Sequence, residues 1–230
     1  MLDRTFVINL DRRPDRWEKF QSRFQFRFAA GWPFAPPERW PAVDGKTCEV
    51  PRWFGAPRGA WGCLRSHVAI WWATVNEGWE SVLVLEDDAF FCKDAASIMR
   101  STMGIVPDDW EQIYFGGQHL DTNVRPPEVV IQDELVRCRY VNRTHAYAIR
   151  QDFACQAIDF IDCPNERPQN IQHVDYLLGD LHDEHRVYAP WRFCVGQLRG
   201  KSDVQNGRYC REHLWNHFPI VPAQELAGVG

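Results

Sequence analysis

At 230 residues, with 45% hydrophobic and 25% charged, the chain has a globular protein's composition and room for one large domain or a core with a small appendage. A formal net charge of −5 argues against broad binding to a nucleic-acid backbone, and leaves only a basic groove around Arg52, Arg58 and Arg65 for such a partner. No apolar stretch approaches the roughly 20 residues of a membrane-crossing helix, so no transmembrane segment is expected.

Thr5-Phe6-Val7-Ile8-Asn9-Leu10 predicts a first strand close behind Met1. That start shows no export signal, so the cytoplasm is the expected compartment. Eight scattered cysteines without a CxxC pair then read as mostly buried free thiols, and the Asn142-Arg143-Thr144 sequon as accidental. Asp11-Arg12-Arg13-Pro14-Asp15-Arg16 comes next. Pro14 suits the first turn of a helix, and Trp17, Phe20 and Phe24 recur at helical spacing, which predicts a helix over about 14–24. Arg12, Arg13 and Arg16 therefore sit where guanidinium forks and a helix N-terminus favour phosphate, with a solvated basic face as the plain alternative.

Residues 31–57, rich in Pro, Trp and Gly, predict a long irregular loop. Gly59-Ala60-Trp61-Gly62 opens a helix to about Asn76, with Leu64, Val68, Trp71, Trp72 and Val75 as its apolar stripe. Ser66 and His67 lie in its first turns, where glycines let the backbone approach a ligand. Trp53, Trp61, Trp71, Trp72 and Trp79 read individually as core.

After Gly78, the apolar run Val82-Leu83-Val84-Leu85 enters Glu86-Asp87-Asp88. The run reads as a buried strand, and carboxylates at its end lie where open α/β sheets bind ligands. Extended-chain alternation predicts Glu86 and Asp88 on one side and Asp87 on the other. Such a pair makes a hard oxygen site for Mg²⁺ or Mn²⁺, a metal that usually also carries substrate phosphates. The plain alternative is a solvated strand end leading to a helix cap.

Further along, the patterns predict a helix over 93–103, a strand over 110–115 stopped by Gly116-Gly117, and a loop over 121–127. Strands over 135–140 and 146–149, helices over 151–161 and 174–181, and a mixed tail from Val187 follow. Alternating strands and helices indicate an α/β fold with a mixed central sheet. The His182/His185 pair and Cys210/His213/His217 have zinc-like spacing but no matching second motif. There is no GxSxG elbow, Walker lysine loop or GxGxxG fingerprint.

Taken in order, these motifs resemble glycosyltransferase family 25, which includes bacterial lipooligosaccharide galactosyltransferases and procollagen galactosyltransferase domains. The matching elements are residues 6–16, Ala42-Val43-Asp44-Gly45, Gly62-Cys63-Leu64-Arg65-Ser66-His67, Leu85-Glu86-Asp87-Asp88, Thr144-His145-Ala146-Tyr147-Ala148-Ile149, Val174-Asp175 and Ser202-Asp203. The likeness covers about nine-tenths of the chain by order and spacing. It departs in the Trp- and Pro-rich segment 25–58 and in the short tail.

The resemblance implies a GT-A-like, Rossmann-type αβα sandwich over residues 1–230, with a nucleotide-sugar half over about 1–120 and an acceptor half over about 121–230. It implies inverting, metal-dependent transfer of galactose or another hexose from a nucleotide diphosphate sugar, most simply a UDP-sugar, to an acceptor hydroxyl on a glycan, as in lipopolysaccharide biosynthesis. Glu86 and Asp88 would hold Mn²⁺ or Mg²⁺. Asp175, with Asp88, would be catalytic. Asn9, Leu10, Arg12, Arg13, Arg16, Asp44, Gly45, Gly62, Ser66, His67 and Asp87 would serve the donor, and Thr144, His145, Tyr147 and Asp203 the acceptor side. The competing functions are glycosylation of a modified DNA base or protein side chain, a metal-dependent phosphohydrolase, and a non-catalytic nucleotide-sugar-binding module. The phosphohydrolase would need a lysine, and only Lys93 lies near the acidic motif.

Overall fold

A computed structural model describes residues 2–29, 31–162, 173–201 and 203–204, and the backbone of 209–210. The first elements are β1 (Arg4–Asn9), α1 (Pro14–Arg27), β2 (Pro37–Pro41), α2 (Arg58–Asn76), β3 (Ser81–Glu86), β4 (Ala89–Phe91) and α3 (Ala95–Ile105). β5 (Gln112–His119), β6 (Glu128–Ile131), β7 (Leu135–Arg137), β8 (Val141–Arg150), α4 (Gln151–Asp162) and α5 (Val174–Leu181) follow. The chain continues through β9 (Val187–Pro190), β10 (Val195–Gln197), β11 (Gly200–Lys201) and β12 (Tyr209–Cys210).

Eight strands form one sheet in the order β2-β1-β3-β8-β5-β9-β7-β6. β1 runs parallel to both β2 and β3, and β8 runs antiparallel to both β3 and β5. The expected α/β fold with a mixed sheet is thus observed, and alternation along each strand makes it a sandwich. Phe6, Val82, Val84, Tyr147 and Ile149 pack with Leu64, Val68 and Trp71 of α2, Phe153 of α4 and Leu177 of α5. Val7, Leu83, Leu85, Ala146 and Ala148 pack on the other face with Phe20 of α1 and Met99 of α3. Burial of these apolar side chains, at about 1.5–3 kcal/mol for each Val, Leu, Ile, Phe or Met, supplies the driving force.

Several expected boundaries move. The segment 31–57 is not wholly irregular, because Pro37–Pro41 adds an edge strand beside β1. Its prolines are tolerated because an edge strand needs no donor on its open side. Gly116 and Gly117 do not stop β5, which continues to His119. A Cβ on Gly116 would strike the His145 ring and the Val195 carbonyl, so the glycine marks a close approach within the strand. Of the six cysteines described, only Cys138 and Cys194 are buried, so the thiols are less enclosed than expected. Trp71 is fully core, but Trp53 and Trp72 are exposed.

Candidate active site

β1 and β3 lie side by side and parallel, so Asn9 and Glu86 end at the same edge of the sheet. A cleft opens there, walled by the segments after β1 and β3, the start of α2, β8, α5, and Gln197, Leu198, Gly200, Asp203 and Val204. Its volume is about 170 Å³. Among the sequence-predicted residues, the cleft brings together Leu10, Arg12, Arg16, Asp44, Gly45, Ser66, His67, Glu86, Asp87, Asp88, Thr144, Asp175 and Asp203.

The acidic motif does not alternate throughout. Glu86 ends β3 and shares the sheet face of Val84, toward α2. Its Oε1 accepts a hydrogen bond from Thr144 Oγ1 at 2.9 Å and lies 3.7 Å from His67 Nε2. Asp87 faces α1, accepting from Asn9 Nδ2 at 2.7 Å and from Arg16 Nη1 at 2.9 Å. Strand alternation does not extend to Asp88, because residues 87–88 form a turn into β4. That turn sets Asp88 Oδ2 3.9 Å from Arg16 Nη1, beside Asp87, and all three carboxylates line one cleft.

Burial, reinforced by the charges of Glu86 and Asp87, pushes the Asp88 carboxyl up to about 7. Its Oδ1 is buried with no hydrogen-bond partner among the described residues. Burial also acts to raise Glu86, but the His67 imidazole, with His145 and Thr144, outweighs it and holds that carboxyl below its ordinary range. Asp87 is raised by burial, which Arg16 and Asn9 offset only in part.

The arginines are held by carboxylates. Arg12 Nε donates to Asp44 at 2.6 Å and its Nη1 pairs with Asp203 at 2.8 Å. Arg16 also donates to the Lys201 carbonyl at 2.8 Å. Asp175 is not the N-cap of α5, a position taken by His173. Its Oδ2 accepts from the Arg143 backbone N–H at 3.2 Å and its Oδ1 from that of Tyr176 at 3.1 Å, which fixes the carboxylate at the cleft wall.

Five expected contacts lie behind the wall. Asn9 is 1% exposed and braces Asp87, the Arg13 carbonyl and Arg39. Arg13 turns to Asp15 and Asp203 instead of the cleft. Gly62 is a packing residue: a Cβ there would meet the Val43 carbonyl oxygen and the Gly45 nitrogen, so the glycine lets α2 approach that loop. His145 is enclosed, with Nε2 donating to the Val195 carbonyl at 3.1 Å, and burial lowers its pKa to about 4. Tyr147 is also enclosed, and its hydroxyl accepts from Trp71 Nε1 and meets His67 Nδ1, each at 2.9 Å. It therefore positions His67.

Cys63, Arg143 and Gln197 line the cleft without having been singled out as site residues. Arg143 takes φ 77°, a strained conformation for a residue with a side chain. Asn142 and Thr144 are buried, so the sequon is inaccessible. His182 and His185 are structural: His182 Nδ1 accepts from the Val141 N–H at 3.1 Å, and His185 pairs with Glu111 at 3.1 Å. His213, His217 and the Cys210 side chain of the zinc-like spacing, and Ser202 of the late motif, lie outside the described residues. No described helix is long and apolar enough to cross a membrane.

Residues 57–166 match the family model described as Glycosyltransferase family 25 (LPS biosynthesis protein). A "Glycosyltransferase 25 family member" of Drosophila melanogaster is 32% identical over 170 residues, covering 64% of this chain and 26% of that protein. "Procollagen galactosyltransferase 2" of Mus musculus is 28% identical over 215 residues, covering 80% and 31%. "Inactive glycosyltransferase 25 family member 3" of Homo sapiens is 28% identical over 197 residues, covering 80% and 32%. The resemblance to family 25 therefore holds, and the chain spans between a quarter and a third of the length of these curated relatives. A solved glycosyltransferase involved in glycosylation of the major capsid of PBCV-1 is more distant, with a TM-score of 0.42 at 13% identity over 78% of this chain and 73% of the other.

Proposed function

We propose that this chain, matched to glycosyltransferase family 25 over residues 57–166, transfers a hexose, galactose in the first instance, from a nucleotide diphosphate sugar to an acceptor hydroxyl. One observation carries the reading. Six carboxylates and three guanidiniums line the described cleft, at the carboxyl ends of two parallel strands. A diphosphate is admitted to such a surplus of negative charge only with a cation. The buried, unpartnered Oδ1 of Asp88 is the kind of oxygen a hard cation takes up, so the site fits Mn²⁺ or Mg²⁺, with Asp88 and Glu86 as its protein ligands. When bound, the ion would supply positive charge for the departing diphosphate.

The remaining roles belong to side chains. Arg12 and Arg16 would turn from their carboxylate partners toward the diphosphate. Asp44, Gly45 and Ser66 would border the nucleotide; Ser66 Oγ already fixes that loop by accepting from the Val43 N–H at 2.8 Å. Asp175, its oxygens held by two backbone donors, would receive the acceptor proton as the hydroxyl attacks, giving inversion. On this reading the donor half ends near residue 120, and Thr144, Asp175 and Asp203 face the acceptor, most simply a glycan of the lipopolysaccharide type. A cytoplasmic location and a UDP-sugar donor accompany it.

A non-catalytic nucleotide-sugar-binding module is the second reading, favoured by a relative named inactive at 28% identity. The test is a thermal-shift panel of nucleotide diphosphates and their sugars with and without Mn²⁺, followed by a donor-hydrolysis assay. A ligand at about 100 times its Kd should add about 2.7 kcal/mol of stability. Mn²⁺-dependent stabilisation by one nucleotide, lost in Asp88→Ala, together with donor turnover supports transfer. Stabilisation without turnover selects the binding module, and no shift with any nucleotide refutes both.

A further inference from the structure

We propose that Cys63, His67 and Glu86 form a binding site for a thiophilic divalent cation of the zinc class in the wall of the cleft. Cys63 and His67 stand one turn apart on α2, so their side chains share a face. Glu86 reaches them from the end of β3, and one ligand atom of each lies within 4.8 Å of the others.

His67 supplies the independent observation. Its side chain is 0% exposed, yet Nε2 has no hydrogen-bond partner among the described residues. The nearby Glu86 Oε1 lies 3.7 Å away, beyond hydrogen-bond range. The opposite nitrogen is braced as metal-bound imidazoles are. Nδ1 lies 2.9 Å from Tyr147 Oη, which also accepts from Trp71 Nε1 at 2.9 Å, so the ring is held in place from behind. With the ring so held, Nε2 faces Glu86 across 3.7 Å.

A thiolate, an imidazole and a carboxylate select zinc over the hard cations that suit Asp88. Three protein ligands leave a fourth position open. All three residues line the cleft, so that position is within reach of water or a bound substrate group. A cation here also engages Glu86, so zinc and the Asp88 cation compete for one carboxylate.

The test titrates the full, metal-stripped chain with Co²⁺ as a spectroscopic stand-in for Zn²⁺. One equivalent should produce a thiolate-to-cobalt charge-transfer band that Zn²⁺ displaces. Cys63→Ser should abolish the band and weaken zinc binding at least about tenfold, while Asp88→Asn should keep the band. No band in the wild type, or a band surviving in Cys63→Ser, overturns the proposal. Should Cys63→Ser fail to fold, zinc-edge X-ray absorption of the wild type decides. One sulfur at about 2.3 Å among nitrogen and oxygen ligands supports the site, and any other sulfur count overturns it. None of these measurements reads sugar transfer, so they stand or fall apart from that activity.

Discussion

Replacing Asp88 by asparagine in metal-free protein should raise its stability at alkaline pH. The carboxyl has a folded pKa of about 7 against an ordinary 3.8, because it is buried beside Glu86 and Asp87. An acid whose folded pKa is raised contributes stability that is complete below about pH 3.8 and lost as the pH climbs through about 7. Roughly three pH units at about 1.36 kcal/mol each set a ceiling of about 4 kcal/mol. Side-chain relaxation and water entry bring the working figure to about 2 kcal/mol. Asparagine keeps the shape and carries no charge. In EDTA, urea unfolding should therefore find Asp88→Asn more stable than wild type by about 2 kcal/mol near pH 8, with the gap narrowing near pH 5. Added Mn²⁺ should lift the wild type at the higher pH and leave the variant unchanged. A variant no more stable than wild type near pH 8, or a gap flat in pH, would refute the reasoning.

Asp175→Asn should lower kcat by about 10²–10⁴-fold while leaving calorimetric donor affinity unchanged, because its role is assigned to the acceptor proton. Arg16→Ala strips the Asp87 carboxylate, 8% exposed, of the Arg16 guanidinium that donates to its Oδ1 at 2.9 Å, and should cost about 2–3 kcal/mol in urea unfolding. Two glycines should respond with opposite sign in thermal melts. Gly45→Ala drives a Cβ into the Arg58 carbonyl and should destabilise by about 1–3 kcal/mol, whereas Gly104→Ala meets open space in α3 and should stabilise by about 0.5–1 kcal/mol.

The elements legible in the sequence were those whose burial leaves a period. β3 reads as an unbroken apolar run because both of its faces are covered, and α1 and α2 show their apolar stripes because one side of each meets the sheet. β2 was hidden because Pro-Glu-Arg-Trp-Pro has neither apolar run nor alternation, and pairing to β1 alone makes it a strand. β6 is a sparsely buried edge strand, and β4 has only three residues. In the cleft, residues following strand ends could be placed from sequence, since topology carries them there. What the local pattern withheld was long-range. Arg13 turns to Asp203, 190 positions away, and Tyr147 braces His67 across 80, which are matters of tertiary packing.

The place of β1 between β2 and β3 limits how this chain can be divided. The stretch 57–166 contains the acidic motif and α2, yet Arg12, Arg16, Asp44, Asp175 and Asp203 lie outside it. Excised on its own, that stretch would leave β3 with an open edge, and its two outer cores would lose Phe6 and Phe20. The recognisable part of the sequence is therefore not a transplantable unit. Shortened or fused forms need to keep the first strand and the 174–204 stretch together with it, or the carboxylates at the end of β3 would face only α2 and β8, with the rest of the cleft open to solvent.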